Sequence, residues 1–236
     1  MADPSGFMDA HDRMEIAEED LSSVRALYAD ALRQQAIPTK LRVRVGQVIE
    51  SFRSALEYCA QELHRRYGKP CAGPIYFPII GPSSDWRGVL GQNIPGIIKT
   101  RPDLASLMES WQVIKGAHNQ WLADLGSLAN ESKHEQILPL TRRERDGFRI
   151  GGHNIGVVGG FIQLGKGAVI NNHEVSESVR IDPGGTVPDE LQGILAPDVW
   201  VDLIWDLGGR PVEVLPFLER AVHGVRDIIR ALEDAT

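Results

Sequence analysis

Asn130, Lys133 and His134 are the residues whose types and spacing best suit chemistry in this 236-residue chain. An imidazole serves as general acid or base near neutral pH, a carboxamide orients a phosphate or a sugar, and an ammonium offsets developing negative charge. Positions 130 and 134 are four apart, so on a helix they share a face one turn from each other. Arg53 and Glu57 have the same spacing upstream and are candidates to supply neighbours to such a site. The competing reading is structural: a capping or interhelical hydrogen-bond cluster around Asn130, and an ordinary surface ion pair between Arg53 and Glu57.

These residues need a scaffold, and the apolar spacing supplies one. Trp121, Leu122, Leu125, Leu128 and Ala129 recur at helical intervals, which predicts one helix from Trp121 to Leu138, stopped by Pro139. The polar pair falls well off that stripe, at about 100° per residue. Upstream, Ile16, Leu21, Val24, Leu27 and Leu32 predict a helix from Arg13 to Gln35 after a frayed lead over 1–11. Leu41 to Leu63 carry a stripe of some seven turns, which predicts a helix from Lys40 to Tyr67 with Thr39 as N-cap and Gly68 and Pro70 as stop signals. The two helices are expected to form an antiparallel hairpin. Residues 69–100 read as a long Pro- and Gly-rich connection, and Pro102 to Val113 as a third helix.

After Pro139 the pattern changes to short runs rich in glycine. Val199 to Asp206 alternate with period two, and Asn171-Asn172 and Asp182-Pro183-Gly184-Gly185 are turn chemistry. A small antiparallel meander is expected over 141–208. Pro211 suits the first turn of a final helix ending at Glu233, whose apolar face runs from Val214 to Leu232 and should pack back on the bundle. The expected fold is α+β: a single domain over 1–236, with a helical part over 12–138, the meander, and a C-terminal helix over 209–236.

Other motifs fall away on chemical grounds. Gly160 to Gly167 has the spacing of a phosphate loop, but Phe161-Ile162-Gln163-Leu164 fills the loop with bulk and Gly167 stands where a magnesium-binding hydroxyl is needed. A strand ending in a Gly-Lys-Gly turn is the better reading. His153 and His173 lack any partner at metal-ligand spacing, so neither a metal nor a cofactor is expected. Net charge is −7, which argues against a general pull on nucleic acid or anionic membrane. The charge is uneven: the first thirty and last sixty residues are acidic, and 33–70 is basic, which predicts complementarity between segments. Cys59 and Cys71 read as reduced structural thiols in a cytoplasmic protein, since no signal-like or membrane-spanning run is present.

The order SALEYCAQEL, then YFPI, then WLADLGSLANESKHEQI resembles a group of uncharacterised bacterial and prophage proteins with an Asn-x-x-Lys-His helix, over about residues 50–140. More distantly, the bundle resembles the HEPN superfamily, many members of which are dimers and metal-independent endoribonucleases of toxin and phage-defence systems. The superfamily motif is an arginine, a polar residue, then a histidine a turn later. Asn130 and His134 match the last two, and Ala129 stands at the arginine position, so an arginine from elsewhere, such as Arg53, would have to serve. The resemblance implies a non-catalytic HEPN-like interaction or binding module, acting as a homodimer. The alternatives are a metal-independent endoribonuclease that acts on RNA through His134, and a small-ligand or nucleotide binder.

Overall fold

The computed structural model describes residues 6–34, 36–134, 140–150, 153–156, 162–170, 173–181, 187–192 and 194–236; within these, only the backbone is described at 132–134, 144–150, 153–156, 162 and 196–201. The fold is α+β and mostly helical, with a small antiparallel sheet region before the C-terminal helix. It forms two compact units, one of residues 1–140 with 205–236 and one of residues 141–204.

The helical unit starts with α1 (Gly6–Gln34) and α2 (Thr39–Tyr67), packed as a hairpin. Helix α1 begins seven residues earlier than its large apolar residues predict. Its buried positions are Phe7, Ala10, Met14, Ala17, Leu21, Val24, Tyr28 and Ala31. These alternate three and four apart, a seven-residue repeat in which alanines let α2 approach closely. Ile16, expected on the stripe, is exposed. Thr39 is not the N-cap: it is the first helical residue, and Pro38 before it caps without a side-chain bond.

The ends of the hairpin are fastened by Glu62, which is 3% exposed. Its carboxylate accepts from Arg65 Nε and Nη2 (2.9 and 2.6 Å), from Arg66 Nε (2.5 Å) and from the Gly6 N–H (3.4 Å). The charge asymmetry of the sequence appears in part as cross-helix pairs, such as Arg44 with Asp20 at 2.7 Å.

The connection expected over 69–100 contains two short helices, α3 (Trp86–Asn93) and α4 (Ile97–Thr100). Asp85 caps α3 by accepting the Arg87 N–H. Helix α5 (Pro102–Ser110) is followed by two 3₁₀ turns, and α6 (Gln120–His134) packs on α2. The expected end of α6 at Leu138 lies outside the described residues.

In the second unit, β1 (Thr141–Ile150) pairs antiparallel with β2 (His153–Gly156) and with β7 (Leu195–Leu207). Strands β3 (Ile162–Leu164) and β6 (Val179–Ile181) pair, as do β4 (Val169–Ile170) and β5 (His173–Glu174). The registers nest: Thr141 faces Ile204, Ile150 faces Leu195, Ile162 faces Ile181, and Ile170 faces His173. The region is the small antiparallel sheet expected before the last helix; β1–β2 and β4–β5 pair neighbours in the chain as a meander does, and β1–β7 and β3–β6 nest around them. Val175, Ile181, Val187, Leu191 and Leu195 form its core. The turn residues 171–172 and 182–185 lie outside the described residues.

Trp205 to Leu207, the end of β7, belong to the helical unit and pair with β8 (Arg210–Glu213). Gly208 (φ 64°) and Gly209 (φ 86°) form the two-residue turn. Positive φ at both positions matches the right-handed twist of a hairpin and favours glycine. Pro211 therefore sits in a strand, not in the first helical turn. Helix α7 (Val214–Asp234) follows and packs on α1, α2 and α6, so the last helix does return to the bundle. No helix among the described residues is long and apolar enough to cross a membrane.

Candidate functional site

Helix α6 carries two useful faces. Trp121, Leu122, Leu125, Leu128 and Ala129 are buried, as their spacing predicts. Trp121 lies so close to Gly224 of α7 that any side chain there would overlap the indole. The adjoining stripe of Gln120, Ala123, Ser127 and Asn130 lines a cavity of about 330 Å³ with Arg53 of α2 and the segment Ile79–Pro82.

That segment is held in place by one buried side chain. Gln112, 1% exposed, accepts the Ile80 N–H at 3.1 Å through Oε1. Its Nε2 donates to the carbonyls of Pro78 (3.0 Å) and Met108 (3.1 Å). Pro78 has no N–H to satisfy, so a single carboxamide serves the whole edge. Gly126 gives the segment room, because a Cβ there would stand 3.0 Å from Ile79 Cγ2.

Arg53 and Glu57 are more than a surface pair. Their side chains are only 16% and 14% exposed, and Arg53 Nε lies 2.6 Å from Glu57 Oε1. Glu57 Oε2 accepts the Phe77 N–H at 2.6 Å, so the carboxylate also ties the Ile79 segment to α2. Burial lowers the guanidinium's affinity for its proton, and the charge and hydrogen bond of Glu57 oppose the shift. Arginine stays protonated at any physiological pH, so the cavity holds a poorly hydrated cation. Glu57 engages it through Nε, which leaves the fork of two terminal nitrogens as the edge suited to a carboxylate or phosphate.

Arg53 and Asn130, 77 positions apart, thus line one cavity. Lys133 and His134 lie in the last turn of α6, and their side chains are outside the described residues. Ala129 is 1% exposed, so the position matched to the HEPN arginine faces the core. Gln112, Gln120, Ser127 and the Ile79–Pro82 segment escaped the sequence reading. The prolines of PIYFPIIGP, which remove backbone donors, and the small residues of α6 were the signals that could have found them.

Beyond Gln120 lies another cavity of about 300 Å³, between α6, β8 and α7. Its polar centre is Asp124, which accepts from Gln120 Nε2 (2.9 Å) and pairs with Arg210.

The remaining candidates do not converge. Strand β3 ends in a Gly165-Lys166-Gly167 turn in which two N–H groups are spent internally, Lys166 on Ser178 Oγ (3.1 Å) and Gly167 on the Val175 carbonyl (2.8 Å). Successive N–H groups turned inward in this way do not form the concave nest that cradles phosphate. His173 is exposed on β5, and the side chain of His153 lies outside the described residues. Among the described residues no three His, Cys, Asp or Glu side chains gather where they could hold a metal. Both cysteines are free thiols, Cys59 buried and Cys71 exposed. No protein-family model matches this chain, and neither a curated protein nor a solved structure does.

Proposed function

We propose that this protein is a binding module of the cytoplasm that captures an anionic group in the cavity under Arg53. One observation carries the reading: a largely buried guanidinium is held by Glu57 through Nε at 2.6 Å and lines a cavity shared with Asn130, Gln120 and Ser127. Charge-assisted bonds to a preorganised guanidinium are about twice as strong as neutral ones. Ile79, Ile80 and Pro82 add apolar walls, the usual makeup of a small-ligand site. Calorimetric titration with acetate, phosphate and citrate tests it. Binding that Arg53→Gln abolishes supports the reading, and absence of heat with every anion at millimolar concentration overturns it.

A second reading has its own support. Arg53 and Asn130 share a cavity, and His134 follows Asn130 by one turn of α6. A metal-independent ribonuclease would use this arrangement, with the guanidinium stabilising a phosphorane-like transition state and His134 moving the proton. Cleavage of single-stranded RNA in EDTA, lost in His134→Ala, supports it. Intact RNA at micromolar protein removes it.

A further inference from the structure

We infer that the cavity under Arg53 takes the free C-terminal end of an extended peptide, with its carboxylate on Arg53 and its last peptide groups paired to the backbone of Ile79. The inference rests on the anion-binding reading and names the ligand class.

The backbone of residues 77–81 carries the argument. Gln112 bonds the Pro78 carbonyl and the Ile80 N–H, the two groups that a neighbouring strand would bond on either side of Ile79. Successive residues of an extended chain turn their backbone groups to opposite edges. The N–H and C=O of Ile79 therefore face away from Gln112. The Phe77 N–H, on that same edge by alternation, meets Glu57, so the edge faces the Arg53–Glu57 pair. The Gly81 carbonyl accepts the Ser84 N–H at 3.2 Å. Between Phe77 and Gly81, Ile79 is left with both a donor and an acceptor unpaired among the described residues. Partly buried backbone groups of this kind are costly to leave unmade and form a ready pairing edge.

The edge is one residue long, which suits a chain end rather than a strand. The cavity's 330 Å³ lies at the small end of ligand sites, which run from about 300 to 1,000 Å³. Charge selects the terminal group. Arg53 is the one cation among the described lining residues, and Glu57 already offsets part of its charge. A singly charged carboxylate matches that balance. Asn130 remains to bond the outer oxygen, and Ile80 and Pro82 favour a small apolar last side chain.

Fluorescence polarisation with a labelled pentapeptide library ending in alanine, valine or leucine tests this. The free acids should bind, and their C-terminal carboxamides should bind about tenfold weaker or worse, the size of one lost charge-assisted bond. N-methylation of the last peptide nitrogen should weaken binding similarly, a change made on the ligand and so independent of protein folding. Arg53→Gln should abolish discrimination between acid and amide while circular dichroism stays unchanged. Equal binding of acid and amide, or tighter binding of single-stranded RNA than of any peptide, overturns the inference. If acetate or phosphate binds and no peptide does, the anion site stands and the peptide falls. If nothing binds, both fall.

Discussion

Arg53 and Glu57 meet at 2.6 Å on neighbouring turns of α2, and the same carboxylate holds the Phe77 N–H at 2.6 Å. One acidic side chain thus orients the cation of the cavity and ties down the segment that leads into another of its walls.

Glu57→Gln separates these roles. The carboxamide oxygen still accepts from Phe77, but Arg53 loses its counter-charge in a poorly hydrated place. The expected result is a stability loss of about 1–3 kcal/mol in urea unfolding, with tighter anion binding because the guanidinium is no longer offset. Weaker anion binding would show that Glu57 matters more for aiming Arg53 than for neutralising it.

Glu62 predicts a pH dependence. Hydrogen bonds from Arg65, then Arg66 and the Gly6 N–H, against the penalty of burial, hold its carboxyl down at about 2. A depressed acid contributes stability that is complete above its ordinary unfolded value and is lost as pH falls towards the folded value. Stability should therefore fall between about pH 5 and pH 2, and Glu62→Gln should flatten that part of the profile. Urea midpoints at pH 6, 4 and 3 measure it.

Two glycines of the bundle should respond oppositely to alanine. At Gly224 the new methyl overlaps Trp121, and the expected loss is about 1–3 kcal/mol of overpacking strain. At Gly46, inside α2 with nothing within 4 Å of the new Cβ, helix propensity should add about 0.5–1 kcal/mol. Thermal unfolding of both variants decides this, and Gly224→Ala should also loosen α6 and weaken binding in the cavity.

The thiols should differ as sharply. Cys71 is exposed, and Cys59 is sealed in the core, where burial pushes its thiol up. A thiol reagent should label one site per native chain and two after denaturation. Labelling of Cys59 in the native state would show that the α2 core opens.

Helices α2, α6 and α7 could be read from apolar spacing, because that periodicity is a property of neighbours along one chain segment. The Gly-Lys-Gly turn was legible for the same local reason. The true seam of α1 was not, since three of its eight buried positions are alanines whose meaning depends on how near α2 lies. Pro211 looked like a helix start until the Gly208-Gly209 turn placed it in a strand. The nested pairing of β1 with β7 joins residues more than forty positions apart, and short alternating runs do not specify their partners. Asn130, Arg53 and Glu57 could be named from type and spacing alone. That Arg53 and Asn130 line one cavity, with Gln112 bracing its wall, was decided only by tertiary packing, because it brings together atoms from segments with no local relation to one another.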